Sequence, residues 1–258
     1  MSFINLRVES GIATITFDRA EKFNSFVRPM ALAFQAFLDQ VAEDASVRCV
    51  VITGNGKAFC AGQDLQEATD PDGPALSKIV GEHYNPIITR IRQLPKPVIA
   101  AVNGVAAGAG ANIALACDIV IATESASFIQ AFSKIGLIPD SGGTYTLPRL
   151  IGFQRASALM MLGEKVSAKD AQSMGMIYKS VSDELFLAEV DRVAAQLATM
   201  PTYGLALTKQ ALNETYHNDL EKQLALEDKL QTLAGNSDDY VEGTTAFLEK
   251  RAPIFKGS

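Results

Sequence analysis

The chain of 258 residues contains only two histidines, His83 and His217, and neither lies in a recognisable motif. This scarcity bears on the Asp-Ser-Gly-Gly stretch at 140–143, which is typical of the nucleophile loop of chymotrypsin-like proteases. A serine nucleophile of that kind needs a histidine base, and the many short strands of the protease fold are also missing. The sequence therefore disfavours a protease, and we expect both histidines to be surface or capping residues.

Cysteines are also few, and long apolar runs are absent. Cys49, Cys60 and Cys117 lie in or beside apolar runs at wide spacing, which predicts buried, reduced thiols in a cytosolic protein rather than a disulfide framework. No spacing of Cys, His or carboxylates indicates a metal site. No run is long enough to span a bilayer, and the start MSFINLRVES lacks a signal-peptide core. We expect a cytoplasmic protein without membrane association.

Positive charge is also in deficit, since the formal net charge is -6. That balance makes nucleic acid an unfavourable partner. The pair Gly108 and Gly110 lacks the third glycine of a dinucleotide fingerprint, and no Gly-Lys-Ser/Thr marks a P-loop. The hydrophobic content of 48% suffices for one large domain, or for a domain with a helical appendage.

Helical and extended patterns alternate along the first two thirds of the chain, which predicts an α/β fold. The expected elements are a hairpin around Ser10-Gly11, strands at 49–53, 98–102 and 119–122, and helices at 29–43, 79–93, 110–117, 183–200, 203–216, 220–233 and 240–250. Helical pattern dominates after Gln154, and the shift to all-helical sequence comes near Asp183. We divide the chain into a core of 1–195 that carries the active site and a helical region of 196–258.

Two segments rich in small residues carry the strongest functional signal. Lys96–Asp118 (KPVIAAVNGVAAGAGANIALACD) leaves an apolar strand and becomes a helix through a run of Ala and Gly, and Lys57–Leu65 (KAFCAGQDL) follows another apolar strand. A ligand oxygen can lie directly against such backbones, where free amides favour negative charge. Two amides converging on one oxygen form an oxyanion hole. The alternative is that small residues merely let a helix pack closely on a sheet.

These segments, followed by SASFIQAFSKIGLIPDSGGTYTLPRLIG and ending in FLEKRAPIF, resemble the crotonase (enoyl-CoA hydratase/isomerase) superfamily from end to end. Within this superfamily, the sequence segments AAGAGAN and FSKIGLIPDSGG are most similar to those of ring-epoxide isomerases of phenylacetyl-CoA degradation. The resemblance implies a crotonase-type spiral of ββα units with a C-terminal helical trimerisation region, assembled as a trimer or a dimer of trimers. It also implies acyl-CoA substrates and no separate cofactor, since coenzyme A is part of the substrate.

The resemblance assigns roles to individual residues. The backbone amides of Gln63 and Ala109 correspond to the oxyanion donors, although many relatives have glycine in place of Ala109. Residues expected to contact the acyl group or coenzyme A are Lys22, Ala61, Gly62, Asp64, Leu65, Gly110, Phe132, Phe247 and Lys250. Lys57 is a further candidate for the coenzyme A phosphates, and each lysine alone is also typical of an ordinary surface.

Asp140 is the expected proton shuttle. Its Pro-Asp-Ser-Gly-Gly context also suits a turn before a helix, but the resemblance places an acidic catalytic residue in this loop. Its apolar lead-in favours partial desolvation, which raises a carboxyl pKa. The two glutamates of hydratase members correspond here to Asn112 and Phe132, which cannot act as acid or base. We therefore expect isomerisation, foremost of ring-1,2-epoxyphenylacetyl-CoA to its oxepin form. The alternatives are a Δ3–Δ2 enoyl-CoA isomerase and a catalytically silent acyl-CoA-binding protein.

Overall fold

The computed structural model describes residues 3–258, which form two β-sheets surrounded by helices. The strands are β1 (Ile4–Glu9), β2 (Ile12–Phe17), β3 (Cys49–Gly54), β4 (Ala58–Cys60), β5 (Val98–Val102), β6 (Val105–Ala107), β7 (Ile119–Thr123), β8 (Ser127–Ile129), β9 (Lys165–Ser167) and β10 (Lys179–Val181). The α-helices are α1 (Arg28–Glu43), α2 (Leu65–Ala68), α3 (Leu76–Lys78), α4 (Asn85–Gln93), α5 (Ala109–Ala116), α6 (Gly143–Ile151), α7 (Phe153–Leu162), α8 (Ala168–Ser173), α9 (Phe186–Ala198), α10 (Thr202–Glu214), α11 (Leu220–Gly235) and α12 (Asp238–Glu249). A π-helix (Ile79–Tyr84) leads into α4, and 3-10 helices cover Ala20–Lys22 and Ala131–Ile135.

The larger sheet has the order β1-β2-β3-β5-β7-β10. Its first two strands form the predicted antiparallel hairpin, and Ser10 and Gly11 make the turn with positive φ angles of 51° and 78°. The remaining pairs are parallel. Strands β3 and β5 are almost wholly buried, so their continuous apolar runs reflect a sheet that helices cover on both faces.

Alternate residues of the central strands face two separate apolar cores. Val50 and Ile52 belong to the larger core, which includes side chains of α1, α4 and α5. Cys49 and Val51 point the other way and join the smaller core with Phe186 and other side chains of α9. This period of two is the geometry of a β-strand, and it places α9 on the back of the sheet.

The smaller sheet has the order β4-β6-β8-β9, and it contains the feature that positions the site. Strands β4, β6 and β8 are mutually parallel, and each follows a strand of the larger sheet after a short connection. The chain thus repeats a unit of two strands followed by helical structure. This arrangement confirms the predicted α/β spiral of ββα units.

Several element predictions need correction. The sequence pattern after Gln154 predicted helices and missed β9 and β10, which are only three residues long and contain polar side chains. β10 nevertheless pairs with β7 at the edge of the larger sheet. The single helix predicted at 79–93 begins as a π-helix up to Tyr84 before the α-helix starts at Asn85.

The prediction for His83 was wrong. Its side chain is fully buried, with Nε2 located 3.0 Å from a guanidinium nitrogen of Arg28. Burial lowers the pKa of His83, and the Arg28 charge acts in the same direction. His217 does lie at the surface, where it contacts the Tyr145 hydroxyl at 3.2 Å.

The three cysteines are buried free thiols, as the sequence predicted. Burial raises the pKa of Cys49 and of Cys60 to about 12, so both stay protonated at neutral pH. Among residues 3–258, no cluster of His, Cys, Asp or Glu side chains is suited to hold a metal ion. Within the same residues, none of the helices combines the length and the apolar character needed to cross a bilayer.

The C-terminal helices are tied to the rest of the chain by a buried lysine. Lys209 of α10 donates to the carbonyls of Ile91 and Lys96 at 2.7 and 3.2 Å, and it pairs with Asp118 at 2.8 Å. The proposed division between 195 and 196 falls inside α9, which continues to Ala198. The two-region organisation stays a prediction.

Candidate active site

Three parallel strands deliver the candidate site residues to one edge of the smaller sheet. The segment with Gln63 follows β4, Ala109 follows β6, and the segment with Phe132 and Asp140 follows β8. The carboxyl ends of parallel strands meet at the same edge, so segments far apart in sequence become neighbours. The Gly108 amide donates to the Ile129 carbonyl at 2.8 Å and fastens two of these ends together.

The backbone around Gln63 is held so that its own amide stays free. Phe26 pairs with this segment, donating to the Gly62 carbonyl at 2.7 Å and accepting from the Asp64 amide at 2.9 Å. Backbone groups alternate sides along an extended chain, so the Gln63 N–H points away from Phe26. It has no acceptor among residues 3–258. A free, fixed N–H of this kind is what an oxyanion hole requires.

The Ala109 amide lies beside the same segment. Ala109 is the first residue of α5, so its N–H has no partner within the helix, and it has none elsewhere in residues 3–258. A Cβ added to Gly62 would lie only 3.4 Å from the Ala109 nitrogen and 3.0 Å from the Ala107 oxygen. Gly62 also has a φ of 89°, which side-chain-bearing residues rarely adopt. Close approach of these two backbones therefore depends on glycine at position 62.

Gly110 has a packing role at this junction. A Cβ there would lie 2.2 Å from the Cys60 carbonyl oxygen, so any larger residue would push α5 away from the end of β4. Close packing and two free amides thus occur together, and the packing interpretation of the Ala/Gly run complements the oxyanion interpretation. Ala109 itself is almost fully buried, and its methyl group takes space that glycine would leave open.

Asp140 lies in the loop between the 3-10 helix and α6, and its side chain is half-buried. Burial raises the pKa of the Asp140 carboxyl above its ordinary value, and a hydrogen bond from the Ser141 hydroxyl opposes this rise. That hydroxyl donates to Asp140 Oδ1 at 2.8 Å, so the serine of the Asp-Ser-Gly-Gly stretch engages the aspartate and not a histidine. A partly desolvated carboxylate with one fixed hydrogen bond is suited to general base chemistry.

Asn112 and Phe132 differ in what they contribute to the site. Asn112 is buried on α5 and donates from Nδ2 to the Asp140 carbonyl oxygen at 2.8 Å. The Phe132 ring is also buried, and its tip lies 3.7 Å from the point that a Cβ of Gly108 would occupy. Phe132 therefore places an apolar ring next to the residue that precedes Ala109.

A polar network around the Gln63 side chain was missed by sequence reasoning. Gln63 Nε2 donates to Glu67 at 2.8 Å, and its Oε1 accepts from the Tyr84 hydroxyl at 3.1 Å. Burial raises the pKa of Tyr84 well above its ordinary value, and negative charge at Asp140 adds to the rise. Tyr84 is therefore a neutral donor within electrostatic reach of Asp140. Its helical context carries no motif, so the sequence offered no signal for it.

The other residues predicted to contact the acyl group or coenzyme A fall into two groups, one next to Gln63 and one of side chains at the surface. Ala61, Gly62, Asp64 and Leu65 continue directly from β4 beside Gln63, with Leu65 half exposed. The Asp64 carboxylate pairs with Arg19 at 2.7 Å and accepts from the Gln66 amide at 2.9 Å, so it caps α2.

The predicted cationic contacts are all at the surface. Lys22 lies near the first group, since its Nζ donates to Gln66 at 3.1 Å. Lys57 is exposed in the turn before β4. Phe247 and Lys250 belong to the terminal helix α12 and its C-cap, where Phe247 is 82% exposed. Together with Pro201 and other residues of the C-terminal helices, Phe247 lines an open cavity of about 610 Å³.

The chain is similar over its whole length to known proteins. The family model for enoyl-CoA hydratase/isomerase matches residues 7–258. A 1,2-epoxyphenylacetyl-CoA isomerase of Escherichia coli is 52% identical over 260 residues, covering 100% of this chain and 99% of that protein. A protein of Rhodobacter capsulatus named "Probable enoyl-CoA hydratase" is 45% identical and covers 100% of both chains. The solved structure of an enoyl-CoA hydratase from Bacillus anthracis superposes with a TM-score of 0.92 at 34% identity, covering 99% of this chain and 100% of that one.

Proposed function

Because the chain belongs to the enoyl-CoA hydratase/isomerase family, we propose that it isomerises a coenzyme A thioester, foremost ring-1,2-epoxyphenylacetyl-CoA to its oxepin form. The observation that carries the proposal is the set of groups at the site. Two free backbone amides and one partly desolvated carboxyl group lie on segments that follow neighbouring parallel strands, while the two positions expected to hold hydratase glutamates are an amide and a phenyl ring.

The amides of Gln63 and Ala109 would bind the thioester oxygen. Removing a proton from the carbon next to the thioester moves negative charge onto that oxygen, and fixed N–H donors stabilise the charge as it develops. Loss of one such donor costs roughly 2.7–4 kcal/mol in comparable enzymes. The position of Ala109 at the first turn of α5 adds the positive end of a helix dipole.

Asp140 would move the proton. In a 3-enoyl-CoA, the carboxylate takes a proton from C2, the charge spreads to C4 and the thioester oxygen, and the same proton returns to C4. The double bond then lies between C2 and C3, and no atom is gained or lost. The raised pKa of Asp140 supports this role, since a shuttle must both accept and release its proton near neutral pH.

The epoxide reaction has the same formal balance, because epoxide and oxepin are isomers. The buried Phe132 ring supports a flat aromatic group over a hydroxylated chain, since an unpaired hydroxyl buried there would cost roughly 1–3 kcal/mol. Full-length identity of 52% to an isomerase named for this substrate supports the same choice. The double-bond shift of a 3-enoyl-CoA is the second candidate, and one site serves for both reactions.

Hydration is the disfavoured member of the family's reactions for this chain. Adding water requires one group to position the water and another to deliver a proton to the neighbouring carbon. Asn112 is already engaged by Asp140 and Gln130, and Phe132 has no polar atom beyond its backbone. The non-enzymatic alternative is a catalytically silent acyl-CoA-binding protein. A measurement of turnover distinguishes it from the proposed isomerase.

We further propose that the C-terminal helices mediate a trimer or a dimer of trimers, with Phe247 and Lys250 near coenzyme A. The exposed apolar side chains of α11 and α12 support this proposal, since Leu224, Phe247 and Leu248 are 55%, 82% and 80% exposed in a single chain. The division into a 1–195 core and a 196–258 oligomerisation region is part of the same proposal.

The test is a substrate panel with purified protein. Freshly generated ring-1,2-epoxyphenylacetyl-CoA, a 3-enoyl-CoA and crotonyl-CoA are supplied separately, and products are separated by chromatography. The proposal predicts conversion of the first two without change of mass. No turnover of any thioester, with binding intact, would favour the silent binding protein.

A further inference from the structure

One polar side chain on an otherwise apolar buried helix has no part in the proton transfer described above. All eight residues of α5 are buried, and Asn112 is its sole polar side chain, with 1% exposure. It lies three residues after Ala109, so both are on one face of the helix. Burying an amide is costly unless each of its polar atoms has a partner.

Both polar atoms of Asn112 are satisfied, and the partners are informative. Its Nδ2 donates to the Asp140 carbonyl oxygen at 2.8 Å, and its Oδ1 accepts from Gln130 Nε2 at 2.8 Å. A carbonyl must face a donor, so the contact with Asp140 fixes which way the Asn112 amide is turned. The helix that carries one oxyanion amide is thereby bonded to the residue that carries the base.

The loop around Asp140 is built to accept this bond. The same Asp140 carbonyl accepts from the Gly143 amide at 2.8 Å, so two donors hold it. A Cβ added to Gly143 would lie 2.4 Å from Asn112 Nδ2, and the three atoms it would approach most closely all belong to Asn112. A side chain at position 143 would therefore have to displace the Asn112 amide. The part of the loop before Pro139 lies at the surface, with Ile138 80% exposed, whereas Ser141 is buried.

We infer that Asn112 is a positioning residue for the isomerisation proposed above, which this inference presupposes: its amide holds the Asp140 backbone and so sets the carboxyl group relative to the Ala109 amide. Aspartate in its place has the same shape but can only accept hydrogen bonds. It would face the Asp140 carbonyl without a donor and place a second negative charge close to the base. An amide at position 112 thus suits a site with a single working carboxylate.

The test compares Asn112→Asp and Asn112→Ala with the matched control Asn103→Asp. Asn103 makes a similar pair of bonds away from Asp140, donating to the Gly56 carbonyl at 3.0 Å and accepting from the Gly54 amide at 3.1 Å. The readouts are kcat and KM as a function of pH for whichever thioester the wild type isomerises, with thermal unfolding as the check on folding.

We expect kcat to fall at least tenfold in both Asn112 variants, with KM within about threefold of wild type. The acid limb of kcat should move to higher pH in Asn112→Asp, because added negative charge makes Asp140 harder to ionise. Asn103→Asp should lower stability without moving that limb.

A second route reaches the same contact without changing Asn112. Gly143→Ala should displace the Asn112 amide and lower kcat, whereas adding Gly143→Ala to Asn112→Ala should cost little more, since the group it strikes is gone. This cycle keeps the test decisive if one single variant folds poorly. Additive effects, or Asn112 variants with wild-type kcat and pH profile, would overturn the positioning role alone. A wild type inactive toward every thioester would instead overturn the proposed function, and this assignment with it.

Discussion

Replacing Asp140 with asparagine removes the proposed base while keeping its shape. The variant retains an oxygen that can accept from the Ser141 hydroxyl, and the backbone bonds from Asn112 and Gly143 to the residue 140 carbonyl are unaffected. The free amides of Gln63 and Ala109 are likewise untouched. Any loss of turnover then reports on the carboxyl group and not on a displaced loop.

The expected loss is large in rate and small in binding. A positioned general base contributes about 10²–10⁴-fold, which is about 2.7–5.4 kcal/mol of activation free energy at about 1.36 kcal/mol per factor of ten. We therefore expect kcat for 3-enoyl-CoA isomerisation to fall by at least about 10². Affinity for a coenzyme A ester should stay near the wild-type value, because the contacts to the thioester oxygen remain.

The same variant should lose activity but gain stability at neutral pH. Burial raises the pKa of Asp140 in the folded state, so its ionised form destabilises the fold at pH values above that pKa, and the cost disappears as pH falls through it. Asp140→Asn should therefore raise the melting temperature at neutral pH and flatten this part of its pH dependence. Asp44→Asn is the control, because bonds from Ser46 lower the pKa of that exposed carboxyl and its removal should bring no gain.

The assay follows the ultraviolet change and the mass of the product for wild type, Asp140→Asn and Asp44→Asn, alongside thermal unfolding at several pH values. Turnover by a folded Asp140→Asn within a few-fold of wild type would mean that another group moves the proton. A lowered melting temperature at neutral pH would show that Asp140 is stabilised as a carboxylate, contrary to the pKa direction given above.

Three further predictions concern the amides, the missing glutamates and the assembly. Gln63→Ala should keep most activity because its N–H survives, although stability should fall by roughly 1–3 kcal/mol since the buried Tyr84 hydroxyl loses its acceptor. A folded Ala109→Pro should be inactive because it lacks the N–H donor. Steady-state kinetics measure activity and circular dichroism checks folding, and a severe loss of activity in a well-folded Gln63→Ala would implicate the side chain. With Asn112 and Phe132 at the hydratase positions, crotonyl-CoA should not be hydrated at an enzyme-like rate, and stereospecific 3-hydroxybutyryl-CoA by chiral chromatography would contradict this. Light scattering should give a trimer or a dimer of trimers, and a stable, active monomer would refute that assembly.

The close backbone packing at the candidate site could be predicted because it leaves a trace in the sequence. Runs of residues no larger than alanine after a strand indicate close approach of backbones, and Gly62 and Gly110 are both required sterically in the structure. The parallel strands that bring Gln63 and Ala109 to one edge also follow from the alternation of apolar runs and helices. The family resemblance then supplied Asp140, which composition alone left open as a turn residue.

The side-chain contacts between distant segments could not be predicted. The bond from Asn112 to the Asp140 carbonyl spans 28 residues, and the bond from Tyr84 to Gln63 spans 21, with no periodicity or motif to indicate either. For Asn112, the family resemblance indicates only that an amide stands where hydratase members have a glutamate. His83 was placed at the surface because a polar helical neighbourhood conceals that its own side chain points inward.

The most direct measurement of the central claim supplies freshly generated ring-1,2-epoxyphenylacetyl-CoA to the protein in water enriched in ¹⁸O and analyses the product by chromatography and mass spectrometry. The account predicts an oxepin product of unchanged mass without the heavy isotope, formed by the wild type and lost in Asp140→Asn. A product heavier by one labelled water would show hydrolysis or hydration and contradict the claim that this site only rearranges its substrate. Turnover of 3-enoyl-CoA with no conversion of the epoxide would make the double-bond shift the reaction of this chain and refute the argument that the Phe132 ring favours a flat aromatic group.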